Sequence, residues 1–492
     1  MTHRHPLNIF WFILCAAAFL FIGNTMLLAQ TTGTGTTGTT GTTGTGSTGT
    51  GSGEAEGRAR ATGGIRIDAD GVVARYAVQD FGSLTARQLN AARTAYSLSE
   101  DVAVKSPLRC VSLNRLEKTM ASDGIITEEM RYLAGLQRIT HVFYFPGSKD
   151  IVIAGPAEGW FPGFEGTMIG VESLQPVCEL QHLVTALRVF APRKEIHGKE
   201  GGNLVTCSID PTEEGNVKLQ QFLAQTQPRR LNQQAFVNGV RQSLGQQIVT
   251  VGGIPETTHA AQMMVAADYR MKRIGLGLDS LRVPGLQTFI ANTEPNLSNA
   301  LFRWYFVPDY ESVILTEDRT AMQIVGDGVK LIAENELVSE SGERTASGGE
   351  LDRGSAVFTQ SFTEHYPQIA RQALVFAQLR NWIDMLICAA HIQREDFYGQ
   401  SGWTMEFFGN EEQFPLETFT AAKEIDPVVG VRSMNVRGGR LTLTPVGGGI
   451  EIDAEIALND ENAKPDADGN VARQREHVSL NLPEGVWWWD VR

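Results

Sequence analysis

Apolar and polar residues alternate through Gly64–Tyr76 (GIRIDADGVVARY) on either side of Asp70-Gly71, which predicts a β-hairpin. A second hairpin is predicted over ITHVFYFPGSKDIVIAGP, turning at Pro146-Gly147, with His141, Phe143 and Phe145 on one face and Val142 and Tyr144 on the other. Between them SLTARQLNAARTAYS (Ser83–Ser97) reads as a helix with Leu84, Leu89, Ala92 and Tyr96 inward, and shorter helices open at Ser112 and Thr127, whose hydroxyls can cap free amides. The pattern then becomes strand followed by helix: NLVTCSIDP before TEEGNVKLQQFLAQ, and QIVTVGGIP before ETTHAAQMMVAADYRMKRI. RWYFVPDYESVIL and AMQIVGDGVKLIAE read as strands turning at Asp327-Gly328. Ser361-Phe-Thr-Glu364 has the form of a capping box and is expected to open a helical block reaching about Asp396, with breaks near Pro367 and Arg371. Beyond Glu424 the segments GVRSMNVRGGRLTLTP, GGGIEIDAEIAL, HVSLNLPEG and WWWDVR read as strands. Helices and strands are mixed without a strict βαβ alternation, so the expected class is α+β.

The amino-terminal residues follow neither period. Arg4 and the free amino group precede an apolar run from Ile9 to Gly23, and Ala29 is a small residue at a suitable cleavage point. These are the parts of a secretory leader, so residues 1–29 are expected to direct export; cleaved, they leave no membrane span, and retained, Ile9–Ala29 is about long enough to serve as an anchor. Thr31–Gly53 contains only Thr, Gly and Ser and twice matches G-x-G-x-x-G. That pattern cradles phosphate only between a strand and a helix, and neither is predicted here. Residues 30–63 therefore read as a flexible linker, which cannot bury enough surface to offset its ordering entropy. The remainder divides into an expected first α+β domain over 64–250, a second with the long helical block over 251–422, and a β-rich segment over 423–492.

Composition narrows the function more than it defines it. The hydrophobic share of 42% suits a protein with a buried core. The net charge of −14, with Lys and Arg scattered among acids, argues against nucleic acid as a partner. Outside the leader lie Cys110, Cys178, Cys207 and Cys388, an even number that permits disulfides in an exported chain. Their wide spacing does not suggest a zinc knuckle, and Cys388, within the apolar run WIDMLICAA, reads as a buried thiol.

Local motifs for chemistry are weak. His391 and Glu395 stand four apart on a predicted helix, the spacing of a surface ion pair, and His182 follows Cys178 in what reads as ordinary packing. Asp268 and Lys272 share that four-residue spacing and are expected on a solvated helix face, with Val265, Met271 and Ile274 inward. Gly399-Gln-Ser401-Gly-Trp403 approaches a nucleophile elbow but lacks its second glycine. Asp68/Asp70 and Asp466/Asp468 read as turn aspartates, because a calcium loop would place Arg66 or Lys464 at its first ligand position. The near-repeat of DADGVVARY and DADGNVARQ reads as chance. On a strand, Trp487 and Trp489 would share one face and Trp488 take the other, packed on both sides or leaving one face for a partner.

GIRIDADGVV, IVIAGPAEGW, VAADYRMKRIGLGL, RWYFVPDY with GDGVKLIAEN, and VFAQLRNWIDMLICAAHI resemble a family of exported planctomycete proteins that contains a domain of unknown function. The resemblance runs from Gly64 to roughly Gly449 and implies export and no particular reaction. The leading expectation is a non-catalytic exported protein with a structural or interaction role at the cell envelope, meeting a protein or glycan partner there. No catalytic, cofactor or metal residues are assigned. The alternatives are a secreted hydrolase using scattered carboxylates such as Glu158, Glu165 or Asp268, and a small-ligand-binding protein.

Overall fold

The two hairpins legible in the alternation form as expected: Ile65–Ile67 pairs with Val72–Arg75, and His141–Phe145 with Asp150–Ala157, both antiparallel. The computed structural model describes residues 63–75, 98–163, 166–192, 203–226, 233–293, 300–338, 344–346, 351–434, 440–459, 461–478 and 480–491. The leader, the Thr/Gly tract, the predicted Ser83–Ser97 helix and Glu165 lie outside them.

Two large mixed sheets give the α+β architecture. The ten-stranded sheet runs in the order Ile65–Ile67, Val72–Arg75, Glu424–Ile425, Gln247–Gly252, Val205–Asp210, Arg440–Ile452, Ala300–Asp309, Gly328–Val338, Arg344–Ala346, with Val429–Met434 paired to Arg440–Ile452 beside this path. It takes strands from each of the three segments 64–250, 251–422 and 423–492, and the described residues all belong to one compact unit. The seven-stranded sheet runs Ala463–Pro465, Ser312–Leu315, Ala321–Val325, His141–Phe145, Asp150–Ala157, Ser106–Ser112, Trp488–Asp490.

The region around Asp327-Gly328 departs from the expected simple turn. Ala300–Asp309 pairs with Gly328–Val338 in the larger sheet, while Ser312–Leu315 pairs with Ala321–Val325 in the smaller one. The chain is one long hairpin bent between the sheets, so the corner at Asp327-Gly328 is a change of sheet. Gly326 and Gly328 have φ of +96° and +71°, and a Cβ on Gly328 would stand 2.4 Å from the Tyr310 ring, so glycine is required there. Tyr310 donates from its hydroxyl to Asp384 Oδ1 at 2.7 Å, and Arg138 grips the same carboxylate with Nε at 2.5 Å. The bend is thereby tied to the helix Leu374–Arg394.

Helix starts follow their caps. Ser112, Thr127, Thr212 and Thr258 each accept a backbone N–H in the first turn that follows. Ser361–Glu364 is a correction: it ends a helix rather than opening one. That helix spans Arg353–Glu364, capped by Asp352, which accepts from Ser355 N. Pro367 then sits in the first turn of Tyr366–Gln372, where its missing N–H costs nothing, and Leu374–Arg394 follows. The expected strand HVSLNLPEG is also replaced: His477 ends the helix Asn470–His477, and residues 480–482 form no strand. Asp68 accepts from the amides of Asp70 and Val72 to close a hairpin, whereas Asp466 accepts from Ala472 N at a helix start, so nearly identical strings take opposite structures.

Leu374–Arg394 packs against the helices Leu180–Val189 and His259–Gly275 and touches strands of both sheets. It is apolar around its circumference because it is buried around its circumference, with Trp382, Ile383, Leu386 and Ile387 fully enclosed. Each such side chain contributes about 1.5–3 kcal/mol relative to exposure, which makes this helix the main anchor of the core. A smaller apolar cluster, including Cys110, Phe143, Val471 and Trp489, covers the other face of the seven-stranded sheet. Among the described residues no single helix is long and apolar enough to cross a membrane.

Candidate metal centre

Glu179 is the N-cap residue of the helix Leu180–Val189, yet its side chain does not cap that helix. It turns instead toward His259, the first residue of His259–Gly275, where Thr258 supplies the cap by accepting from Ala261 N. His182, three residues beyond Glu179, lies on the same face of the first turn. The two helices touch at their starts, where the imidazoles share a hydrogen bond. His182 Nε2 and His259 Nδ1 are 3.0 Å apart with their rings nearly parallel at 12°, and Glu179 Oε2 is 3.7 Å from His259 Nδ1.

These three ligand atoms lie within 4.8 Å of one another, and all three residues are buried. A tetrahedral zinc ion with bonds of about 2.0–2.1 Å sets its ligand atoms roughly 3.3–3.4 Å apart, a value bracketed by the two measured separations. Gln181 Nε2 donates to Glu179 Oε2 at 2.6 Å and holds the carboxylate in place. Trp382 meets the His182 ring edge-on at 6.1 Å, and Phe419 lies 5.4 Å from the His259 ring. Phe419 is itself pinned by its amide to Thr257 O at 2.8 Å, so the 414–422 segment is laid across the start of the His259 helix. A cavity of about 320 Å³ reaches Glu179 from outside, walled by Leu180, Phe414, Leu416 and Ile126, with Arg131 also on its lining.

The sequence offered half of this arrangement. Glu179-Leu-Gln-His182 places a carboxylate and an imidazole at helical i,i+3 spacing, so the partner of His182 is Glu179 and not Cys178. His259 is 77 residues further on, and only the packing of two helices brings it in.

The other residues singled out in the sequence have occupied environments. Asp268 and Lys272 do form an ion pair, with Nζ–Oδ2 of 2.7 Å, but both side chains are fully buried, which corrects the solvated-face expectation. Lys272 also donates to the carbonyls of Ile209 and Gly448. The whole helix is sheathed by the ten-stranded sheet and the Leu374–Arg394 helix, so its periodicity could not mark a wet side. Burial pushes the Asp268 carboxyl up to about 6 against the pull of Lys272. Glu158 accepts the amides of Glu172 and Ser173, and so closes a turn.

His391 and Glu395 are not a surface pair. His391 is buried with neither ring nitrogen hydrogen-bonded, and Glu395 pairs with Arg319 at 3.2 Å. Ser401 donates to Tyr398 O in a local turn. Cys110, Cys178, Cys207 and Cys388 are buried free thiols, so their even number does not mean disulfides. Burial raises the pKa of each, that of Cys110 to about 12, which makes them poor nucleophiles.

The three tryptophans pack, but in a different arrangement from the one expected. The strand begins only at Trp488, so Trp487 joins the main core and Trp489 the cluster on the opposite face. Trp488 lies under the Arg109 guanidinium at 4.7 Å and borders a groove of about 1080 Å³ with Lys105, His477 and Asn481.

Residues 207–289 match a family described as "Protein of unknown function (DUF1598)", so the chain contains a domain of that family. No curated protein and no solved structure matches the chain. The matched stretch holds His259, Asp268 and Lys272, while Glu179 and His182 fall before it.

Proposed function

We propose that this is an exported protein of the cell envelope that binds one divalent transition-metal ion, zinc by preference, through Glu179, His182 and His259. The observation that carries the reading is the convergence of two imidazole nitrogens and a carboxylate oxygen within 4.8 Å in a buried site. Two imidazoles and one carboxylate suit zinc over calcium or magnesium, which prefer oxygen ligands alone. Without an ion the two imidazoles share a hydrogen bond of 3.0 Å and Gln181 donates to Glu179, so the ion would replace the imidazole–imidazole bond with two metal–nitrogen bonds.

Export and the envelope location are supported by the basic start, apolar run and small residue of positions 1–29, and by the resemblance to exported planctomycete proteins. The role there is non-catalytic and structural or interactive, and the groove beside Trp488 offers a surface for a protein or glycan partner. A hydrolase built on Glu158 and Asp268 is the weaker reading, because backbone amides engage the first and Lys272 the second.

Metal content of the purified protein, compared with that of His259→Ala, tests the metal reading. One equivalent of zinc in the wild type and much less than one in the folded variant supports it. Equal content in the two would refute it.

A further inference from the structure

Resting on that metal reading, we infer that the fourth coordination position of the ion is exchangeable and takes a small carboxylate-bearing ligand admitted through the cavity that ends on Glu179. Three observations lead there. First, the cluster supplies three ligands among the described residues, the number found in open zinc sites, whereas closed structural sites use four.

Second, charge balance asks for an anion. One carboxylate and two neutral imidazoles leave a divalent ion with a net charge of +1, and an uncompensated charge in a buried site is costly. A single bound carboxylate brings the centre to neutrality.

Third, a path exists. The cavity of about 320 Å³ touches Glu179, a residue of the cluster, and its size is at the lower end for small-molecule sites. Its apolar wall, Leu180, Phe414, Leu416 and Ile126, suits the non-polar body of a short organic acid, and its charged lining beyond Glu179 is Arg131 and Glu417. Arg131 on the lining pairs with Glu128 at 3.7 Å, with both side chains about half exposed. Exposed pairs of that kind are worth roughly 0–1 kcal/mol, so Arg131 can turn to an incoming anion at little cost. Gln181, which also lines the cavity, keeps the Glu179 carboxylate oriented by its amide.

The test uses the mature protein loaded with cobalt(II), whose visible ligand-field bands report coordination directly. Acetate and azide are titrated in turn, and binding is compared in Leu416→Trp, which fills the cavity without touching the cluster. The inference predicts that both anions change the bands of the wild type and that Leu416→Trp keeps cobalt while weakening the anion response at least about tenfold. Bands that ignore both anions, in a protein that holds one cobalt, would overturn the exchangeable position and leave the metal reading standing. Cobalt bound equally by wild type and Glu179→Gln would overturn the metal reading itself, because even outer partners of a metal ligand are worth about 10–100-fold in affinity. An equal anion response in Leu416→Trp would overturn the assignment of the cavity as the route.

Discussion

Lys272 Nζ lies 2.7 Å from Asp268 Oδ2, and neither side chain has any contact with solvent. The lysine is also the donor that links two strands of the larger sheet, through the carbonyls of Ile209 and Gly448. Removing one partner strands a charge in the core, at a cost of about 3–5 kcal/mol. Asp268→Ala is therefore expected to lower stability by that amount in chemical denaturation. The double variant Asp268→Leu with Lys272→Met should recover most of it. A double variant as unstable as the single one would show that the pair is not the source of the loss.

Arg109 is expected to hold the carboxyl-terminal strand in place. Its guanidinium makes two bonds to Asp490, at 2.8 and 3.0 Å, and donates to the carbonyls of Val102, Ala134 and Val104. Asp490→Ala leaves those carbonyl bonds intact, so the loss should be about 1.5–3 kcal/mol, the range for a hydrogen bond to a charged group. Hydrogen exchange should quicken along Ser106–Ser112, the partner of Trp488–Asp490. Unchanged exchange in that strand would contradict the role.

His391 makes the protein acid-sensitive. Burial, helped by the charges of Arg394 and Arg319, lowers its pKa from 6.5 to about 3. A folded-state pKa below the unfolded one means the stabilisation is present above pH 6.5 and is lost as pH falls toward 3. At pH 5 the loss from this residue is about 2 kcal/mol relative to pH 8. His391→Leu should remove that part, so the variant gains on the wild type at pH 5 compared with pH 8 in urea denaturation. An equal difference at the two pH values would sink the argument.

Gly448 has φ +114°, and a Cβ there would stand 2.1 Å from the Trp304 carbonyl oxygen across the parallel pairing. Gly448→Ala should cost at least about 3 kcal/mol, from strain and the forced separation of strands. Gly245, with φ +64° and nothing within 4 Å of an added Cβ, provides the contrast: Gly245→Ala meets strain alone and should cost about 1 kcal/mol. Similar melting temperatures for the two variants would be inconsistent with the packing.

Zinc should stabilise the folded protein and not the ligand variants. At about 100 times its dissociation constant a bound ion adds about 2.7 kcal/mol. The wild type should show that gain in denaturation with zinc, and His182→Ala should show little of it. A matching gain in His182→Ala would place the ion elsewhere.

Local chemistry in the sequence determined a good deal of this protein. Asp70-Gly71 and Pro146-Gly147 turn their hairpins, Ser112, Thr127 and Thr258 cap their helices, and the mixture of periods implies an α+β fold, because these depend on neighbours a few residues apart. Other features were decided by tertiary structure. The same DADG string makes a hairpin at Asp68 and a helix start at Asp466 because its surroundings differ. The four-residue spacing of Asp268 and Lys272 implied an ion pair, but whether water or a sheet covers it depends on segments far along the chain. So it is with the candidate metal centre: Glu179-x-x-His182 is legible in the sequence, while His259 arrives only when two helix starts pack together. Spacing along a chain fixes which side chains share a face, and only packing fixes what that face meets.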